Sequence, residues 1–187
     1  MKKILIIIII IPVFSKCFSQ NVGIGTTTPA FKLDVRSGSI NTDSLYRINF
    51  FPVLSIKGNG NFFAGRNVGS SNTGQDNTGT GNLSLYSNTS GATNTAVGSL
   101  ALYSNTIGYN NASTGYMSLN SSITGYNNAA FGSQSLVKNT FGFDNTAIGT
   151  TTLHNNTTGS YNAGIGNGAL YNNTTGSFNT AVGYAAG

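Results

Sequence analysis

Hydrophobic and polar positions from Asn77 onward recur every 17 residues, a spacing that neither a single amphipathic helix nor a single strand produces. One apolar column is Leu85, Leu102, Leu119, Leu136, Leu153 and Leu170; another holds Val97, Phe131, Ile148, Ile165 and Val182. Asparagine repeats on the same step from Asn77 to Asn179, and two glycine columns run from Gly81 to Gly183 and from Gly91 to Gly176. A period without insertions means that equivalent units stack on one another, because one displaced residue would break every column. Six full copies cover 77–178, a seventh stops after nine residues at Gly187, and a degraded copy one residue short occupies 61–76.

A unit of 17 residues is too short for a helical-repeat pair, and its glycine columns oppose helix. The pattern predicts two short β segments per unit, Thr-Ala-Val-Gly as at 95–98 and Ala-Leu-Tyr as at 101–103. The intervening Asn-Thr-Thr-Gly is turn chemistry, since Asn and Gly accept positive φ. The expected fold is all-β: a parallel β-solenoid, or β-roll, of 17-residue coils pairing residue i with i+17. Val97 should lie beside Thr114, and Ile148 beside Ile165. Both aliphatic columns are expected inside and the turn threonines outside. The Asn column should form a ladder, each side chain bonding to the copies above and below. Two large aliphatics per unit make a small core. The aromatic columns Tyr86/Tyr103/Tyr171 and Tyr109/Tyr126/Phe143 suggest packing against a second chain or, equally, cover for the same chain; with a second chain as partner, the Tyr86/Tyr103/Tyr171 column should stand exposed in a single chain.

Composition sharpens this. Only 7% of residues are charged, far below an ordinary domain. Of nine basic residues, Lys2, Lys3 and Lys16 lie at the start, leaving six against four acidic, a formal +2. From Asn77 onward Lys138 and Asp144 are the charged residues, with His154 titratable. Such a surface offers little to phosphate backbones, so no nucleic-acid partner is expected. Residues 1–19 read as a signal peptide: Lys2 and Lys3 precede an apolar run of 11, Ile4 to Phe14, too short to span a bilayer. Cys17-Phe18-Ser19 fits a small-x-small cleavage site, with Gln20 as the new N-terminus. Lipidation of Cys17 is the rival reading, and Lys16 directly before it fits that signal poorly. Cleavage after Ser19 leaves no cysteine, so stability would rest on stacking without disulfides. No transmembrane segment is expected in the mature chain. Residues 20–60 read as an N-terminal β cap or linker that shields the first coil of the repeats at 61–187. The chain stops inside a repeat and reads as a truncated frame or a fragment.

Asn-Thr-Ala-Val-Gly at 94–98 and 179–183, with Asn-Thr-Ala-Ile-Gly at 145–149, resembles the head repeats of trimeric autotransporter adhesins, the YadA-like head. The resemblance covers about 77–187, although the period here is longer than the adhesin repeat. It implies a left-handed parallel β-roll that associates as a homotrimer. The stretch from Asn21 to Val35 resembles the Val-Gly-Ile-Gly-Thr-x-x-Pro opening of exported Gram-negative surface proteins and of some phage tail-fibre proteins.

Candidate chemistry is sparse. His154, the single histidine, occupies the column of Tyr86, Tyr103, Val137 and Tyr171, and reads as a substitution rather than a general base. Asp34, Asp43, Asp76 and Asp144 are scattered without metal-ligand spacing. Gly23-Ile24-Gly25, followed by threonines and a proline, reads as a turn rather than a nucleotide loop. The sequons at Asn88 and Asn173 follow from the repeat itself, and Asp43-Ser44-Leu45 resembles a bacterial O-glycosylation acceptor. No catalytic, cofactor-binding or metal-binding residue is assigned, and no enzyme activity is expected. Three functions stay open: an adhesin head or stalk segment mediating attachment at the cell surface; a phage or tailocin tail-fibre segment; and a flat repetitive array binding glycan or ice, through the column Thr89, Thr106, Thr140, Thr157 and Thr174.

Overall fold

The computed structural model describes residues 22–24, 33–35, 45–48, 51–55 and 59–187. The leader at 1–19 with Cys17, together with Asp43 and Ser44, lies outside the described residues. The chain divides into two units, Met1–Asn41 and Thr42–Gly187. The first contains β1 (Val22–Ile24) and β2 (Leu33–Val35), paired in parallel with Val22 opposite Leu33. Gly23 and Ile24, expected in a turn, are strand residues.

The second unit holds one ten-stranded sheet. It opens with β3 (Leu45–Ile48) and β4 (Phe51–Ser55), an antiparallel pair, and β4 runs antiparallel to β5 (Phe62–Ala64). From β5 the sheet is parallel through β6 (Thr78–Thr80), β7 (Thr95–Val97), β8 (Ala112–Thr114), β9 (Ala129–Phe131), β10 (Thr146–Ile148), β11 (Ala163–Ile165) and β12 (Thr180–Val182). No helix occurs among the described residues. The molecule is the all-β solenoid that the period implies. Val97 pairs with Thr114 and Ile148 with Ile165, one coil apart. Phe62 pairs with Thr78, so the degraded copy at 61–76 is in register with its one-residue deletion absorbed in the turn.

Each coil has one three-residue strand, not two. The Ala-Leu-Tyr segment is a left-handed turn: Leu85, Leu102, Leu119, Leu136, Leu153 and Leu170 all have φ between 48° and 52°. A branched side chain in that region costs about 1–2 kcal/mol. Leu85 through Leu153 are fully buried, which returns about 1.5–3 kcal/mol each. The turn thus points leucine into the core, and the strand assignment fails because burial outweighs local preference.

The Val/Ile/Phe column also departs from expectation. It faces out: Phe131 is 43% exposed, Ile148 and Ile165 42% each. The cause is strand parity. Alternate residues face opposite sides, and the central residue of each strand, as in Ala96, Ser113, Ala130 and Ala147, is the buried one. The core is therefore leucine packed on alanine and serine. In the first coil the sizes are exchanged: Phe63 takes the small position and Gly69 the leucine position, where a Cβ would strike the Phe63 ring.

Two buried asparagine columns hold the coils in register. In the first, Asn94 donates its backbone N–H (2.9 Å) and Nδ2 (3.1 Å) to Asn77 Oδ1, and a second Nδ2 bond to Gly108 O (2.8 Å). The pattern repeats at Asn111, Asn128, Asn145 and Asn162. Each amide is saturated, as a buried one must be. The second column is Asn88, Asn105, Asn139, Asn156 and Asn173, with Ser122 in place of one member. Both glycine columns serve close approach: a Cβ on Gly115, at φ 135°, would sit 2.5 Å from Gly132 O, and one on Gly125 2.7 Å from Gly142 O.

Candidate binding surface

The solenoid presents three distinct strips. The outer face of the sheet is uncharged and largely apolar from β9 onward: Phe131, Ile148, Ile165 and Val182 follow one another, Val97 is set apart by Thr114, and threonine or alanine opens each strand, as in Thr146 and Ala163. No charged residue lies on this face between β6 and β12.

The turn threonines form the second strip. Their hydroxyls are engaged along the axis: Thr89 Oγ1 donates to Thr106 O (2.9 Å), and Thr140 Oγ1 to Thr157 O (3.0 Å). Thr106, Thr140 and Thr157 are half-buried, so this strip is less exposed than turn chemistry alone implied. A row of threonines whose donors already close the coil is a structural device first.

The third strip is the edge formed by the last two residues of each coil. In coils two to six these are Tyr109-Asn110, Tyr126-Asn127, Phe143-Asp144, Ser160-Tyr161 and Ser177-Phe178. Each of these five coils contributes one ring and one hydrogen-bonding side chain, whereas the first ends in Ala92-Thr93 without a ring. The rings make a continuous stack, Tyr109 to Tyr126 at 5.0 Å, Tyr126 to Phe143 at 4.8 Å, Phe143 edge-on to Tyr161 at 5.2 Å, and Tyr161 to Phe178 at 4.8 Å. The stack survives a change of column at Tyr161, where the aromatic moves one residue along. Beside it Thr93 Oγ1 donates to Asn110 Oδ1, Asn110 Nδ2 to Asn127 Oδ1 (3.2 Å), and Asn127 Nδ2 to Asp144 Oδ1 (3.0 Å). A carboxylate only accepts, so Asp144 ends this outer ladder, and the column turns aromatic in the next coil. The Tyr126 hydroxyl is pushed above the usual phenol range, first by desolvation in the stack, then by Tyr109, Asp144 and Tyr161.

The sequence-nominated chemical residues are not brought together. His154 stacks on Tyr171 at 4.9 Å, and its Nδ1 lies 3.2 Å from Asn155 Oδ1, which also accepts from Lys138 Nζ (2.9 Å). Of the column expected exposed, Tyr171 is exposed, whereas Tyr86 and Tyr103 are half-buried and stack on each other at 5.3 Å. Asn88 is fully buried in the second ladder, so its sequon follows from packing. Among the described residues no three His, Cys, Asp or Glu side chains gather, and no helix is long and apolar enough to cross a membrane. A recess of about 310 Å³ near the last coils is lined by Thr151, Asn167, Tyr171, Asn172 and Tyr184. The edge ladder and the outward sheet column were missed from sequence; aligning Thr93, Asn110, Asn127 and Asp144 on the 17-residue step would have exposed the first. Neither a family model, a curated protein nor a solved structure matches this chain.

Proposed function

We propose that this chain is an exported, non-catalytic surface element, an adhesin head or stalk segment that works as a homotrimer. The observation that carries the reading is the apolar outer face of the sheet on a solenoid almost free of charge. Four consecutive exposed apolar side chains, Phe131, Ile148, Ile165 and Val182, are unusual on a lone soluble chain and mark a contact surface. The interior is narrow, filled by one leucine per coil and small residues, so burying the Val/Ile/Phe column between copies adds the apolar contact that the single-chain core lacks. The leader pattern at 1–19 supports passage out of the cytoplasm, and the absence of cysteine after it suits a fold stabilised by stacking. The adhesin-like motifs at 94–98, 145–149 and 179–183 support the trimer and the attachment role.

Cell fractionation combined with sedimentation of the mature chain tests both halves. The expected result is an extracellular or outer-surface species beginning at Gln20 with three times the monomer mass. A well-folded monomer with full β content, or an uncleaved cytoplasmic chain, would reject the reading.

A further inference from the structure

The edge of paired rings and hydrogen-bonding side chains repeats along the axis at 4.8–5.2 Å over five coils. Whatever it meets must be read by side chains. At the second residue of each pair the backbone donor is already engaged, with Asn110 N bonded to Ala92 O, Asn127 N to Tyr109 O, Asp144 N to Tyr126 O and Tyr161 N to Phe143 O, and Phe143 N is bonded to Ser160 Oγ. An extended peptide therefore finds no continuous row of unpaired backbone donors along the five coils to add to as a strand. A polyanion finds no cation on the edge and meets the Asp144 carboxylate. Stacking covers the ring faces except at the edge-on step from Phe143 to Tyr161 and at the ends of the row, where Phe178 is 78% exposed, so what the middle of the edge offers are ring edges, the Tyr109 and Tyr126 hydroxyls, and the amides. Each carboxamide has two N–H groups and two lone pairs. The outer ladder uses one of each on Asn110 and Asn127, leaving a donor and an acceptor for a partner.

We infer that this edge binds a neutral, extended polysaccharide lying along the solenoid axis, one sugar to a coil. A chain of equatorially linked pyranoses has a residue repeat close to the coil spacing. It also offers, at every step, hydroxyls for the amide and phenol groups and a C–H flank for the ring edges. The match of repeat makes weak contacts additive along the edge, as in other multivalent binding. The absence of net charge on the partner matches the near-neutral repeat surface. This inference names the ligand class for the attachment role proposed above and rests on it, but its assay uses purified chain and is decided independently of fractionation or sedimentation.

The test is co-sedimentation of the purified chain with cellulose and with chitin particles, alongside binding to soluble amylose and to heparin. Asn110→Gly/Asn127→Gly removes both amides while keeping the positive φ that both residues hold, 55° and 54°. Its retention on at least one of the two equatorially linked glycans should fall about tenfold or more, with circular dichroism unchanged. Tyr109→Ser, which leaves the core untouched, should weaken retention in the same direction. Thr150→Ala, on another side of the coil, should not. No retention of the parent chain on either particle overturns the inference, as does retention that both edge variants keep. Equal binding to amylose would reject the extended geometry, and tighter binding to heparin would reject the neutral partner.

Discussion

Replacing Ser122 with asparagine should raise the melting temperature of the solenoid. Ser122 interrupts the second interior ladder, and the interruption has a local signature: Ser122 Oγ and Asn105 Oδ1 are buried atoms without a hydrogen-bond partner. In intact stretches each amide donates to the preceding one, Asn105 Nδ2 to Asn88 Oδ1 at 2.7 Å and Asn156 Nδ2 to Asn139 Oδ1 at 2.9 Å. It donates again to the glycine carbonyl three residues on, as Asn139 does to Gly142 O at 2.9 Å. The corresponding glycine is present at Gly125, and its lack of a Cβ leaves the room that the amide uses elsewhere. Ser122→Asn would thus satisfy Asn105 Oδ1, bond Gly125 O, and accept from Asn139 Nδ2. An orphaned buried polar atom costs about 1–3 kcal/mol and a made hydrogen bond contributes about 1 kcal/mol net. Ordering the longer side chain removes about 1 kcal/mol. The balance is about 2 kcal/mol in favour of the variant, or about 4–8 °C in a chain of this size. Calorimetry or thermal circular dichroism reads this directly. Ser121→Asn, on the half-buried neighbour, is the control and should shift stability by less than about 0.5 kcal/mol. A melting temperature that stays level or falls in Ser122→Asn would refute the ladder as a source of stability.

Other outcomes follow from the same geometry. Gly115→Ala should abolish cooperative folding, because its Cβ would lie 2.5 Å from Gly132 O at φ 135°, whereas Gly168→Ala, with nothing nearer than 3.8 Å, should cost only about 1 kcal/mol in a urea titration. Leu136→Asp should leave the chain largely unfolded by circular dichroism, since it strands a carboxylate in the core, while Thr157→Asp should melt within a few degrees of the parent; equal shifts would count against the core assignment. Ile148→Asp should keep the β spectrum yet sediment as a smaller species, if the outer sheet face is where copies meet. The raised Tyr126 pKa means the folded state holds its proton longer, so the stability it contributes is intact below about pH 10 and is lost as pH rises towards the folded value. Tyr126→Phe keeps the ring stack and should therefore lose less melting temperature than the parent across that alkaline window.

The stacking of this chain was readable because a period of 17 is a global constraint: it sets register between coils without any knowledge of what a coil looks like inside. That is why Val97–Thr114, Ile148–Ile165 and the asparagine ladder follow from counting. The interior of the coil is a different matter. Whether Val97 or Ala96 faces the core depends on the parity of a strand only three residues long, and hydrophobicity favours the wrong answer there. Leu102 in a left-handed turn contradicts the propensity of leucine, and only the fully buried environment explains it. At the edge, the ring stack crosses from Phe143 to Tyr161, a step of 18 residues rather than 17, so a reading by columns divides one physical feature into two.

The interior ladder also has a direction. In its main column every Oδ1 accepts from the coil that follows, and every coil therefore presents an acceptor that only a later segment can fill. A chain emerging from its N-terminus makes those acceptors available in the order in which their donors arrive. Each completed coil is a template for the next, and no coil need wait for a distant part of the sequence. In such an array each coil is stabilised by its nearest neighbours, so growth can proceed one coil at a time from a formed pair. Such a template accepts a change of length where a turn can take it up: Asn72 reaches Gly74 O two residues on, where Asn88 reaches Gly91 O three residues on, and the next coil is still in register.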